Sequence, residues 1–532
     1  MMKKLSYVFL FIVITILLSA CMENANAPTS TETTSNENEP TTETSNNDQL
    51  VIAIPADVTS LDPAITMDNT TWKIIYNVYE RLVDYDGATT NIKPGVAKDW
   101  DVSEDGKTWT FYLEEGHTFS DGTPVDAEAV KASFDRSLKI DQGPAGVFSM
   151  VSEIRVDDPM TVTFVLSDPF PPFLSTLAAN YGNIVNPKVL EHDQDGDLGQ
   201  NYLATNTMGS GPYQLTDWKK GDSLKLELNE HSKVQPAIKT VLFKIVGDPS
   251  VQRMQLEKGE IDIAEGIPVD QIDTVKSLNN VELLQQPSLL VDYIYINNNN
   301  GNPALQDIKV RQALNYGIDY ASLIDGVQLG YATQMQGPIP DGIWGHDKSV
   351  KQYNYDVEKA KELLNEAGVE NLEIDLLYSD NKTWWETEAL MIQANLAEIG
   401  VKVNLNKVAY ATSREMMDKG EFDLALGVWS PDFGDPFMFM NYWFDSSNHG
   451  LAGNRAFYTN SEVDKLLKEA ATNNNQGQRE EIYKQIQDIV IEEAPYILLY
   501  QKDFMLPISK DVKGFVYNPM LEGMYNLTEM SK

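Results

Sequence analysis

Residues Gly420–Phe444 read GEFDLALGVWSPDFGDPFMFMNYWF. Phe422–Trp429 is apolar enough to form a buried strand. Ser430–Pro436 then ends it, because two prolines and a glycine cannot continue a ladder. Asp432 is thereby set just past the carboxyl end of a predicted strand, with Trp429, Phe433, Phe437 and Phe439 near it in the chain. In open α/β sheets, ligands bind at that end of the strands. A carboxylate in an aromatic, poorly hydrated wall suits a small cation such as an ammonium, through charge-assisted hydrogen bonding and cation–π attraction. A plainer reading competes with this one. Pro followed by Asp is ordinary turn chemistry, and spacing alone favours a turn residue over a ligand at Asp432.

The chain has 532 residues and a formal net charge of −38. That length implies two to four domains or sub-domains. That charge argues against nucleic acid and anionic membrane surfaces as partners. Lys3 and Lys4 followed by the apolar run Tyr7–Leu18 read as a secretory leader over residues 1–20, too short to span a bilayer. It ends Leu18-Ser19-Ala20-Cys21, which resembles a bacterial lipoprotein box. Cys21 is the only cysteine, so no intramolecular disulfide framework exists and lipidation is the role expected for its thiol. Residues 21–48 carry Ser, Thr, Asn, Glu and Pro with almost nothing apolar, and read as a disordered tether.

Beyond the tether, strands alternate with helices. Leu50–Ile54 is a strand, and a helix is expected from about Trp72 to Leu82. Ala97–Pro124, AKDWDVSEDGKTWTFYLEEGHTFSDGTP, is a hairpin turning at Glu104–Lys107. Asp126 then caps a helix that carries Val130, Phe134 and Leu138 at four-residue spacing. Strands follow at Met160–Leu166, after Gly209-Ser210-Gly211-Pro212-Tyr213, at Lys225–Leu228 and at Val241–Val246. The later part predicts strands at Val291–Ile296, Leu372–Leu377, Val401–Leu405 and Tyr496–Tyr500, and the pattern suggests α/β lobes with largely parallel sheets.

Several of these segments carry a family likeness. W-S-P-D-F-x-D-P at Trp429–Pro436, S-L-D-P at Ser60–Pro63, the Ala97–Pro124 hairpin, G-x-G-P-Y at Gly209–Tyr213 and Ile261-Asp262-Ile263-Ala264 fall in one order. Together they resemble the oligopeptide- and dipeptide-binding lipoproteins of ABC importers, the extracellular solute-binding proteins of family 5. The resemblance covers about Leu50 to the C-terminus. It implies a two-lobed α/β fold of the periplasmic-binding-protein type (type II, cluster C), with a sub-domain inserted in the first lobe. Lobe I would comprise 49–92, 206–290 and 500–532, the insertion 93–205, and lobe II 291–499. Asp432 would grip a peptide's α-ammonium group, with Trp429, Ser430 and Pro431 along the peptide backbone. The loop at Met67, Asp68 and Asn69 would lend backbone groups, although a surface Ω-loop reads the same way. Tyr293 would face the cleft, unless a one-residue slip puts Ile294 there. The implied partners are a peptide and the permease subunits. The protein would be a monomer, anchored at the cell membrane through lipid alone and without a cofactor.

Two departures stand out. Short-peptide members hold the peptide carboxylate with arginines, and the matching positions here are Leu426 and Met417. The nearest basic alternatives, Arg455 and Arg414, are expected at the surface. A strict di- or tripeptide specificity is therefore not implied. Nickel chelates, oligosaccharides and pheromone peptides remain alternative cargoes. Trp384 and Trp385 either floor a side-chain pocket or fill core. The readings from other classes are a secreted hydrolase and an adhesin. No catalytic residues are expected: Gly106-Lys107-Thr108 lacks the leading glycines of a P-loop, and Ser379–Lys382 lacks the companion motif of serine β-lactamases. The five histidines show no metal-ligand spacing, and Asp193–Asp197 places its glycine wrongly for a calcium loop.

Overall fold

The structure is a computed structural model and describes residues 48–521 and 523–532. The expected leader, the tether up to residue 47 and the lipidation site Cys21 lie outside the described residues. The fold is α/β and is built on a mixed eleven-stranded sheet. Its spatial order is Lys402–Val408, Glu373–Ser379, Leu424–Trp429, Val281–Ile296, Tyr496–Ser509, Ile263–Ala264, Gln49–Ile54, Thr240–Ile245, Ser223–Leu228 and Tyr213–Lys219, with Ala332–Gln334 added on Tyr496–Ser509. Parallel pairing is confined to Gln49–Ile54 with its two neighbours and to Glu373–Ser379 with its two neighbours. The expectation of largely parallel sheets is thus corrected: two long antiparallel strands sit between these parallel groups.

Those two strands, Val281–Ile296 and Tyr496–Ser509, pair with one another from Val281↔Ser509 to Tyr295↔Tyr496. One end meets Leu424–Trp429 and the other lies by Ile263–Ala264. Their register shifts between Pro287 and Val291 and again between Asp292 and Tyr293. The sequence reading recovers only Val291–Ile296 and Tyr496–Tyr500. Pro287 argues against a strand in the preceding segment, but the irregularity beside it accommodates a residue without an N–H. A buried cluster sits at these shifts. Asp292 pairs with Lys502 Nζ at 2.9 Å and accepts from Trp384 Nε1 at 3.1 Å, and Tyr500 donates to Glu388 at 3.0 Å. Trp384 is thus tied to this cluster and packs against the core, and Trp385 is buried in it.

A separate four-stranded antiparallel sheet runs Ala97–Val102, Thr108–Leu113, Thr161–Leu166, Val151–Asp158. The helix Ala127–Ile140 covers it, capped by Asp126, which accepts from Ala129 N at 2.9 Å. Phe134 meets Phe164 and Phe148 edge-on, with centroids 5.0 and 5.1 Å apart. Arg136 on this helix reaches Asp62 of the Ser60–Pro63 run with two bonds of 2.9 and 2.5 Å, and both groups are buried. Its Nε also donates to Leu198 O at 2.8 Å. The small sheet is thereby tied to the loop that leads into the helix Asn69–Val78.

That helix starts three residues earlier and ends four earlier than expected. Asp68 accepts from Thr71 N at 2.9 Å and so fixes the start, while Tyr79 leaves helical geometry. Breaking the Asp62–Arg136 pair leaves a buried ion without its partner. Asp62→Ala is expected to destabilise the protein by about 3–5 kcal/mol. Urea unfolding measures this, and a loss no larger than that of an exposed Asp→Ala control would contradict the assignment.

Candidate functional site between the two halves of the sheet

The strand Leu424–Trp429 ends as expected, and the turn after it contains two aspartates with different tasks. Asp435 is the structural one. Its carboxylate accepts from Phe437 N at 2.9 Å and takes both Arg479 amines, at 2.6 and 2.9 Å. Tyr483 and Trp344 flank that guanidinium. Asp432 is left without such partners: among the described residues it has no ion pair, and the Tyr181 hydroxyl is its hydrogen-bonding neighbour. The Tyr181 hydroxyl is close enough to interact with it electrostatically. Burial pushes the Asp432 carboxyl up to about 6, against the smaller opposing pull of Tyr181. The Tyr181 phenol is in turn driven well above its ordinary value, by burial first and by the Asp432 charge second.

Asp432, Ser430 and Pro431 line a small cavity. Asn69 and Trp72 reach it from the helix Asn69–Val78, and Asn180 and Tyr181 from the segment after the helix Phe173–Ala178. Met520 and Met524 close it from near the C-terminus. Trp72 meets Tyr181 edge-on at 5.6 Å and is itself held by its indole N–H on Thr66 O at 3.2 Å. The walls come from segments that follow the strands Gln49–Ile54, Leu424–Trp429 and Tyr496–Ser509 and from the segment after Phe173–Ala178. Their joint passes beside Asp432, where Phe170 packs edge-on against Phe437 at 5.3 Å and Gly434 N donates to Tyr85 Oη at 3.2 Å.

The other expected site residues divide. Asn69 lies on the cavity wall. Asp68 uses its carboxylate on Thr71 and Thr59 and is a helix cap. Met67 is 48% exposed and does not line the cavity. Trp429 packs on the helix Phe437–Phe444, 5.3 Å from Phe439 and 5.8 Å from Tyr442. Its strand pairs with Glu373–Ser379 only at Leu424 and Ala425, which leaves Leu426–Trp429 without that ladder on one side.

Tyr293 does not face the cleft. It is 1% exposed, shares a 2.9 Å hydrogen bond with Tyr295 and packs on Trp443 at 4.6 Å. The reason lies across the strand: both rings occupy the space above Gly427, where a Cβ would come within 2.3 Å of Tyr293. The alternative, Ile294, is buried as well.

Arg455 is also not the surface residue expected. It donates to Tyr295 Oη at 2.8 Å, and its Nε is buried without a partner. The Tyr442 phenol is pushed up by burial and by Asp432 and is opposed by Arg455, so it senses both charges. Leu426 and Met417 are core, and Arg414 lies on the helix Tyr410–Lys419. Trp72, Asn180 and Tyr181 were not anticipated. They reach Asp432 from segments some 250 to 360 positions away in the chain, and no local pattern encodes such a meeting.

Residues 91–450 match the model of the bacterial extracellular solute-binding proteins, family 5 Middle. The chain is 47% identical over 491 residues to the probable D,D-dipeptide-binding periplasmic protein DdpA of Escherichia coli (strain K12), covering 91% of this chain and 94% of that one. Among solved structures, HbpA2 from Haemophilus parasuis superposes with a TM-score of 0.82 at 28% identity, covering 91% of this chain and 99% of that one. DppA from Helicobacter pylori, in complex with the peptide STSA, gives a TM-score of 0.75 at 26% identity, covering 91% and 98%.

A carboxyl raised by burial retains its proton to higher pH in the folded chain than in the unfolded one. Its contribution to stability is therefore neutral below 3.8 and fully unfavourable above about 6. Asp432→Asn is expected to stabilise the protein near neutral pH by on the order of 1 kcal/mol. The gain should fade on acidification and vanish below 3.8. Urea unfolding across that range tests it, and a gain that persists in acid would point to another cause.

Proposed function

The chain belongs to the bacterial extracellular solute-binding proteins of family 5, and on that premise we propose that it is the receptor of an ABC importer for short peptides. It captures a peptide by its ammonium end between two lobes and hands it to the permease. The observation that carries this reading is the Asp432 carboxylate: half-buried, without a counter-charge among the described residues, on the wall of the cavity. A cation supplies what that carboxylate lacks, and the Trp72 ring adds an aromatic wall.

The cargo we favour is a D,D-dipeptide, on the strength of the 47% identical relative. Arg455, whose Nε has no partner, is the group we assign to the far carboxylate in place of the missing arginines. The open side of Leu426–Trp429 gives an extended ligand an edge to pair with. We assign 291–499 to one lobe, 49–92, 206–290 and 500–532 to the other, and 93–205 to the insertion. Closure bends the two long strands at their register shifts. Cys21 would carry the lipid that keeps a monomeric receptor at the membrane. Binding and release are the whole of its chemistry, with no catalytic step.

Calorimetry with D-alanyl-D-alanine and L-alanyl-L-alanine tests the assignment. The D,D form is expected to bind more tightly, and Asp432→Ala to weaken it several-fold or more while the fold stays intact. Affinity should also fall about tenfold between about pH 7 and about pH 5, because the ligand binds the ionised carboxylate, and Asp432→Asn should flatten that slope. Unchanged affinity in Asp432→Ala would remove this carboxylate from the site. A preference for the L,L form would remove the D,D assignment alone.

A further inference from the structure

We propose that the tip of the hairpin joining Ala97–Val102 to Thr108–Leu113 is the stop against which the two lobes close, with Gly106 seated on Asn474. The fit of these two residues then sets how tightly a ligand is held, although neither lines the cavity at Asp432. The stop rests on the hinge closure proposed above.

Gly106 lies at the end of a hairpin turn, a place that normally meets water, yet it is buried. Asn474 covers it, from the connection between the helices Ser461–Thr472 and Gln476–Glu493. A Cβ at Gly106 would fall 2.3 Å from Asn474 Nδ2 and 2.8 Å from its Cγ. The φ of Gly106 is +69°, so the turn and the contact both select glycine.

Both partners are braced. Asp105 Oδ1 accepts from Ser103 Oγ at 2.5 Å and from Lys107 N at 3.1 Å, and Ser103 Oγ accepts from Thr108 N at 3.0 Å. Across the contact, Asn475 N donates to Asn473 Oδ1 at 2.9 Å and Gln478 N to Asn475 Oδ1 at 3.0 Å. Among the described residues no hydrogen bond or ion pair joins the turn to this connection. Behind the tip the two sides stand apart across a groove, with Trp100 and Trp109 on one wall and Gln476 and Arg479 on the other. The contact is therefore one of shape. It parts without breaking a bond, and it resists compression because packed atoms yield little.

In the assignment above, Gly106 belongs to the insertion of one lobe and Asn474 to the other lobe. A larger side chain at the contact must hold the two sides apart. That penalty falls on the closed state alone, since the sides separate when the cleft opens. It therefore appears as faster release of ligand and leaves the open protein unaffected.

Cys21 is the only cysteine, so a pair introduced as Gly106→Cys and Asn474→Cys in a Cys21→Ser background reports on this contact alone. The Asn474 Cβ is one bond beyond the Cγ that Gly106 faces, which is within disulfide reach. Oxidation is expected to form the disulfide and to stop uptake and release of D-alanyl-D-alanine, and reduction to restore both. Small-angle scattering of the ligand-free oxidised form should be more compact than that of the reduced form. Asn474→Trp should weaken dipeptide binding about tenfold, mainly through faster release, and leave the thermal melt of the ligand-free protein unchanged. A disulfide that does not form, or one that forms without altering exchange and scattering, overturns the stop. Wild-type affinity in Asn474→Trp overturns it as well. If the wild-type protein does not bind the dipeptide, that reading of the cargo falls, and equal scattering of the oxidised and reduced forms is then the result that overturns the stop.

Discussion

Two antiparallel strands, Val281–Ile296 and Tyr496–Ser509, hold the molecule together. Every parallel group of the large sheet is joined to the rest through this pair. Hydrogen bonding makes such a ribbon stiff within its own plane, while irregularities in register let it twist and bend across that plane. Both irregularities fall within residues 287–293. The same place carries Asp292, Lys502, Glu388 and Tyr500, all buried. Burial in an apolar surround raises the Glu388 carboxyl well above its ordinary value, with the Asp292 charge adding to the effect and Lys502 opposing it. Side chains so closely packed limit the ways in which the ribbon flexes.

The Pro431–Pro436 turn holds two acids in different surroundings. Asp435 spends both oxygens on Arg479 and on the start of the helix Phe437–Phe444. Because Asp435 carries the turn, Asp432 is left on the cavity wall. Two acids of identical chemistry three positions apart thus differ in role through what surrounds each of them.

Much of this was legible beforehand. The Glu104–Lys107 turn, the Asp126 cap and the strand ending at Trp429 depend on nearest neighbours in the chain, and local rules capture them. The strand around Pro287 was concealed because proline normally excludes a central strand and only a register shift in the partner permits it. Tyr293 was misplaced because alternation gives two faces without saying which one is covered, and Gly427 on the neighbouring strand decided that. Arg455 reads as surface by composition, yet a tyrosine hydroxyl 160 positions away draws it inward. The contribution of Asn180 and Tyr181 depends wholly on long-range packing.

The buried ion pairs have a bearing on the surroundings in which such a protein works. A net charge of −38 spread over the surface repels itself, and that repulsion changes with the ionic strength of the medium. Asp62–Arg136, Asp435–Arg479 and Asp292–Lys502 lie where mobile ions do not reach. The junctions they secure are therefore screened far less by salt than the charges at the surface.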